Sequence, residues 1–175
     1  MKHYPLPKPF RFSKNQESGL FLKERTDRIH CGIDVYAPLK TPVFAVNNGL
    51  IRKIAEFTSP QQTEYWNTTY EIILESETNY FFRYAELDRV LVNENDMVIA
   101  GDRIGLVGQV LNPDKIRKKH PKYIQKLAIK DKLSMLHFEM YDCFPENSDN
   151  YLGGNWFADG KPKGLCDPGL FLNEE

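Results

Sequence analysis

An all-β domain built of antiparallel sheet is the fold this chain predicts, and three observations carry the prediction. Short runs rich in β-branched and aromatic residues recur at close intervals, with turn residues between them. Helical i, i+3, i+4 patterns are scarce over the same stretch. The 175 residues, 41% hydrophobic and 27% charged, suffice for one domain with a real core.

Taken in order, Ile29 to Tyr36 reads as the first strand, ended by Ala37-Pro38. Pro42 to Val46 is brief, and Asn47-Asn48-Gly49 is a turn signal that would close a hairpin into Leu50 to Phe57. Thr58 to Thr68 is polar and reads as a loop. Tyr70 to Glu75 alternates into a turn at Glu77-Thr78-Asn79, and Tyr80 to Ala85 returns. Val90 to Val92 is short, and Asp102 to Val110 follows the break at Ala100-Gly101. Residues 1–27 read as a Pro- and Lys-punctuated arm, and the domain spans 28–172.

One segment departs from the strand pattern. Residues 114–132 carry Lys115, Arg117, Lys118, Lys119, Lys122, Lys126, Lys130 and Lys132 against only Asp114 and Asp131. Pro121 suits the first turn of a short helix, with Tyr123, Ile124, Leu127 and Ala128 as its apolar stripe. The segment is either a basic flap that attracts an anionic polymer or a solvated insertion with one docked face. Gly153 to Gly164 is a second loop, whose Trp156 and Phe157 either wall a binding site or cover a sheet edge.

Composition narrows the function. A formal charge of -1 gives no bias toward nucleic acid or anionic membranes, and no apolar run approaches the roughly 20 residues that span a bilayer. Met1 to Phe12 holds three prolines and no apolar h-region, so it does not read as a secretory signal and leaves the compartment open. Cys31, Cys143 and Cys166 form neither a C-x-x-C metal site nor an even disulfide framework, although Cys143 and Cys166 could pair. Cys31 reads as a small buried apolar residue.

The chemistry-bearing pattern is His30-Cys31-Gly32-Ile33-Asp34, answered by Leu136-His137-Phe138-Glu139. Two imidazoles and a carboxylate make a zinc shell with one tetrahedral position open, as catalytic sites have. On an extended segment His30, Gly32 and Asp34 share a face, with Gly32 leaving room between the two ligands. His137 would close the site from a strand over Leu136 to Tyr141. Glu139 points the same way as His137 and reads as support for the metal strand or a ligand histidine, with direct ligation also open.

These blocks resemble the lysostaphin/LytM-type zinc metallopeptidases over roughly residues 28–172. Thr41-Pro42-Val43-Phe44-Ala45 with Asn48-Gly49, Val98 to Gly101 with Ile104-Gly105 and Gly108, and Asp167-Pro168 with Leu172 extend the likeness in the same order. The resemblance implies a barrel–sandwich hybrid fold with one Zn²⁺ per chain, held by His30, Asp34 and His137 at the floor of a groove. It implies a peptide of bacterial cell-wall peptidoglycan as substrate, and the cell envelope as the place of work. Two positions depart from the family pattern. Met135 stands where such enzymes carry the first histidine of an H-x-H pair, and Glu86 follows Tyr84-Ala85 where they carry a histidine. A thioether neither titrates nor accepts strongly. Glu86 is therefore either a substitute general base or an ion-pair partner of Arg83 or Arg89. Arg28 and Arg83 either grip substrate oxygens or are plain strand-side charges, and Tyr84 either offers its hydroxyl to substrate or lies in the core. A degenerate domain that binds peptidoglycan or a protein partner is the rival to a peptidase.

Overall fold

The structure, a computed structural model, describes residues 3–8, 19–25, 28–129, 133–146, 148–157 and 160–173. Most of the sequence-predicted arm, and Lys130 and Lys132 of the basic segment, lie outside the described residues. The early strands are β1 (Glu24–Arg25), β2 (Arg28–His30), β3 (Ile33–Tyr36) and β4 (Pro42–Phe44). The long ones are β5 (Gly49–Thr58), β6 (Thr69–Ser76) and β7 (Phe81–Val90), with short β8 (Met97–Val98) and then β9 (Arg103–Gln109). Helix α1 (Lys122–Ile129) precedes β10 (Ser134–Tyr141). The chain ends with β11 (Tyr151–Leu152), β12 (Asn155–Trp156), β13 (Leu165–Cys166) and helix α2 (Pro168–Asn173).

All pairings are antiparallel and fall into two sheets. The larger runs β13-β10-β9-β7-β6-β5-β8, with β3 added on β10 and β4 on β9. The smaller runs β1-β2-β12-β11. The all-β expectation and its antiparallel, LytM-like form hold. Alternation drives the main core: Phe82, Tyr84, Leu136 and Phe138 point inward from β7 and β10 and meet Ile51, Ile72 and Leu74. Between them Arg83, Ala85, His137 and Glu139 take the other face, and the register Ala85↔His137 and Arg83↔Glu139 sets those residues side by side.

Two sequence expectations need correction, and one element was missed. The Ile29–Tyr36 strand is broken at Cys31-Gly32, so its halves belong to different sheets. The turn at Asn47-Asn48-Gly49 does not close a β4–β5 hairpin; β4 pairs with β9, and β5 with β6 and β8. Gly49 is needed for close approach, since a Cβ there would come within 2.0 Å of the Glu75 carbonyl oxygen. A local turn signal is outvoted by burial of Val43, Ala45 and Val46. The C-terminal helix α2 was not foreseen, although its signals are present: Pro168 opens it and the Asp167 carboxylate accepts from the Gly169 N–H. Its Leu172 is buried in the main core.

The arm is docked where it is described. The His3 N–H donates to the Val46 carbonyl and the Phe44 N–H to the Pro5 carbonyl, both at 2.9 Å, which delivers Leu6 into the main core at 3% exposure. Leu6→Ala is therefore expected to cost about 2–4 kcal/mol in urea unfolding, as buried leucines do. A loss below about 0.5 kcal/mol, usual for surface positions, would show the arm to be loosely held.

Candidate metal centre

His30 ends β2, Asp34 sits on β3 and His137 on β10, so three separated elements deliver the ligand candidates. His30 Nε2 lies 3.0 Å from Asp34 Oδ1, His137 Nδ1 lies 2.9 Å from the same oxygen, and the two nitrogens are 3.1 Å apart. A zinc tetrahedron with bonds of about 2.0–2.1 Å has edges of about 3.3 Å, so the triangle has the size such an ion needs. All three side chains are nearly buried. Gly32 serves the site through packing rather than by leaving room for the metal. A Cβ there would meet the Phe138 carbonyl oxygen at 2.4 Å and His137 Cε1 at 3.0 Å.

The outward nitrogens are tied down. His30 Nδ1 donates to the Leu20 carbonyl at 2.8 Å, and His137 Nε2 donates to Glu139 Oε1 at 2.7 Å. A carbonyl can only accept and an ionised carboxylate can only accept, so each inner nitrogen is left with its lone pair facing Asp34 Oδ1. Three acceptors converging on one point require a cation or a proton between them. In the metal-free state a proton serves: burial opposes it, but hydrogen bonds to Asp34 and Glu139 raise His137 to about 9. Burial holds His30 low instead, against the pull of Asp34. Burial would raise Asp34, but the charges of His30 and Arg25 hold it well below the usual carboxylate range. The donor set fits a divalent cation with nitrogen and oxygen preference, and uptake would displace the His137 proton.

Glu139 is completely buried, within hydrogen-bond reach of four partners. Besides His137 Nε2, it accepts from Arg83 Nη1 at 2.6 Å and from the Tyr141 and Tyr151 hydroxyls at 2.6 and 2.7 Å. Arg83 Nε lies 2.9 Å from Glu71 Oε2, and Lys53 Nζ lies 3.3 Å from Glu71 Oε1. Arg83 is 1% exposed and held between two carboxylates, so the structure does not place it on the metal groove as a substrate contact. Tyr84 faces the opposite side of β7, in the core, where its hydroxyl accepts from the Val46 N–H at 2.8 Å. Of the alternatives the sequence left open, Tyr84 takes the core one, and Arg83 is a strand-side charge paired inside the protein.

Glu86 does reach the groove. Alternation from Phe82 and Tyr84 would send it into the core, but its φ of +63° breaks the pattern and turns it out. The groove holding it is lined also by Asp34, Arg25, Arg28 and Met135. Its Oε2 is buried without a hydrogen-bond partner, and no ion pair to Arg83 or Arg89 forms among the described residues. Burial, then the Asp34 charge, push its carboxyl up to about 8. Positive φ in a non-glycine residue costs of order 1 kcal/mol or more and is tolerated where the surroundings enforce it.

Arg28 lines the same groove, its guanidinium 4.6 Å from the ring centre of Phe157. Trp156 is buried in β12 against β2 and covers that sheet rather than walling a site. Cys31 lies in a small core with Tyr141, Trp156 and Leu165, and Cys143 and Cys166 are free thiols. Sequence reasoning missed Arg25, whose Nη2 lies 2.8 Å from Asp34 Oδ2 and whose Nη1 donates to Asn155 Oδ1 at 3.0 Å. It also missed the Leu20 carbonyl, which no side-chain signal could reveal.

The profile described as Peptidase family M23 matches residues 28–143, more than half of the chain. The chain belongs to that family. ShyA, a peptidoglycan DD-endopeptidase of Vibrio cholerae serotype O1, is 28% identical over 109 residues, which are 61% of this chain and 23% of that protein. A zinc-containing peptidase from Vibrio cholerae shares the fold, with a TM-score of 0.52 and 24% identity over 79% of this chain and 36% of that one. Lysostaphin from Staphylococcus simulans does so at a TM-score of 0.59 and 20% identity, over 98% of this chain and 53% of its own. This M23 chain thus spans less than two thirds of each of these relatives. No described helix is long and apolar enough to cross a membrane.

Glu86 makes the metal-free M23 domain sensitive to pH in a defined direction. A carboxyl raised to about 8 on folding supports stability fully below its ordinary value of about 4.5, and that support is lost as pH rises through 8. Glu86→Gln cannot ionise, so with a chelator present it should match the parent near pH 4.5 and melt increasingly above it toward pH 8. At 1.36 kcal/mol per pH unit the gain has an upper bound of roughly 5 kcal/mol. Parallel melting profiles across that range would contradict a buried, unpartnered Glu86.

Proposed function

We propose that this chain is a zinc-dependent M23 peptidase domain that hydrolyses peptide bonds of bacterial cell-wall peptidoglycan, working in the cell envelope. The observation that carries the reading is the convergence of His30 Nε2, Asp34 Oδ1 and His137 Nδ1, with both outward imidazole nitrogens committed elsewhere. His30, Asp34 and His137 would hold the ion, leaving one position for water or substrate. Zinc bound in such a shell supplies Lewis acidity toward a carbonyl and lowers the pKa of a water toward about 7. Glu86 would take the proton from the attacking water at Oε2, the carboxyl oxygen that has no other partner. A base with a pKa near the working pH suits that task. Arg28, which lines the groove with a planar fork of donors, would bind a substrate oxygen there. The family and the substrate of ShyA support the choice of a cell-wall peptide.

A second reading has one observation in its favour. Met135, buried in the groove at a position where a histidine would serve proton transfer, offers a side chain that cannot titrate. On that reading the domain keeps the metal and groove and binds peptidoglycan or a protein partner without cleaving.

Purified protein should hold about one zinc per chain, and Asp34→Ala should abolish that binding. Incubation with isolated peptidoglycan should release new amino termini in a chelator-sensitive way. Glu86→Gln should retain the zinc and lose about 10²–10⁴-fold in rate, the range of a general base. Metal without cleavage would select the second reading, and unchanged turnover in Glu86→Gln would remove Glu86 from the chemistry.

A further inference from the structure

The second described stretch of the arm wraps two of the three ligand candidates. The Leu22 and Lys23 N–H groups donate to the His30 and Leu20 carbonyls at 3.1 and 3.2 Å, and the His30 N–H donates back to the Lys23 carbonyl at 3.0 Å. Strand β1 then pairs with β2, Glu24 opposite Ile29 and Arg25 opposite Arg28. Leu22 turns the corner at a φ of +58°, a conformation a leucine holds only where its surroundings enforce it. These residues lie outside the stretch matched by the family, which begins at residue 28.

The contacts fall on atoms that decide how each ligand is presented. The Leu20 carbonyl accepts the His30 Nδ1 proton at 2.8 Å, which leaves Nε2 as the base. Arg25 Nη2 donates to Asp34 Oδ2 at 2.8 Å, while Oδ1 faces the two imidazoles. Its Nη1 donates to Asn155 Oδ1 at 3.0 Å, and Asn155 stands opposite His30 across β12 and β2, so the fork ties β3 to the smaller sheet. Gly19 is buried against Asp34: a Cβ there would come within 3.0 Å of the Asp34 Cβ and 3.2 Å of its carbonyl oxygen. Lifting this segment away would release the His30 tautomer and the Asp34 rotamer together.

We infer that residues 19–25 form a clamp whose docking is coupled to metal uptake: the clamp holds two ligands in their binding form, and a bound cation holds the clamp. The inference rests on the reading of His30, Asp34 and His137 as a metal centre. Such coupling is reciprocal, so its strength is read equally from either side. Arg25 itself is a poor probe, because its charge also repels a second cation and the two effects of removing it oppose each other. Gly19 is neutral, and a side chain there presses on Asp34 without altering any donor or charge.

The test compares the zinc affinity of the full chain, measured by competition with a chromophoric chelator, for the parent, Gly19→Val and Leu6→Ala. Gly19→Val should bind about 10–100-fold more weakly, the usual loss when a group behind a ligand is disturbed. Leu6→Ala loosens the same arm at the main core rather than at the metal centre, and should bind as the parent does. An unchanged affinity in Gly19→Val, or an equal loss in Leu6→Ala, overturns the clamp. Amide exchange of the parent reads the reciprocal effect, and decides the matter should Gly19→Val not fold. Without metal the Leu22 and Lys23 amides should exchange ahead of those of β6 and β7, and zinc should slow them about tenfold or more, the same factor by linkage. Exchange in step with β6 and β7, or rates that zinc leaves unchanged, overturns the coupling. A parent that binds no zinc overturns the metal centre and the clamp with it, whereas zinc bound without these couplings overturns the clamp alone.

Discussion

His30 and His137 each give their outward-facing proton to a fixed acceptor, one to the Leu20 carbonyl and the other to the Glu139 carboxylate. The rest of the centre follows from that commitment. With the outer nitrogens occupied, the inner ones are bases by default, and Asp34 Oδ1 completes a triangle of lone pairs that only a cation or a proton can reconcile. An imidazole whose second nitrogen faced water could flip tautomer and lose the site without any backbone change. Partners behind the ligands fix both tautomer and ring orientation, which is why such groups matter nearly as much as the ligands themselves.

Behind His137 the arrangement deepens into the sheet. Arg83 bridges Glu139 and Glu71, and two tyrosine hydroxyls complete the shell of Glu139. Burying three charged groups there is not an efficient route to stability, because desolvation offsets most of the Coulombic attraction. What the network does supply is a carboxylate whose position and ionised state are fixed. Burial raises Glu139, yet Arg83 and His137 hold it well below the ordinary carboxylate range, so it remains an acceptor for the imidazole. The charge on Arg83, which the sequence left open as a substrate contact or a plain strand-side charge, is spent within the protein.

The candidate ligand triangle was legible because its three residue types stand in two compact motifs, His30 to Asp34 and Leu136 to Glu139. The strand class was legible for a similar reason: alternation along β6, β7 and β10 is a local property. Long-range choices were not. Nothing near Asn47-Asn48-Gly49 announces that β4 will seek β9, or that His30 and Asp34 will belong to different sheets. Support from the arm was equally silent, since one contributor is the backbone oxygen of Leu20 and the other an arginine at position 25, before the stretch matched by the family. Glu86 lies between these cases. Its identity was visible, but strict alternation would have pointed it into the core, and only its positive φ brings it to the groove.

That backbone departure bears on which chemistry the groove retains. A residue whose only task is to fill space beside a strand has no reason to hold a left-handed conformation, leave a carboxyl oxygen unpartnered and bury it against the Asp34 charge. Each of these features costs free energy, and a cation in the ligand triangle would relieve the last of them, because a divalent charge offsets the Asp34 repulsion and favours the ionised Glu86. The metal and the unpartnered carboxyl are thus complementary, whereas Met135 contributes only apolar surface to the same wall. A groove that had shed its chemistry would be expected to relax Glu86 into an ion pair or exchange it for a neutral side chain. An orphaned acid beside the candidate metal ligands is the feature that supports the proposal of proton transfer over that of passive binding.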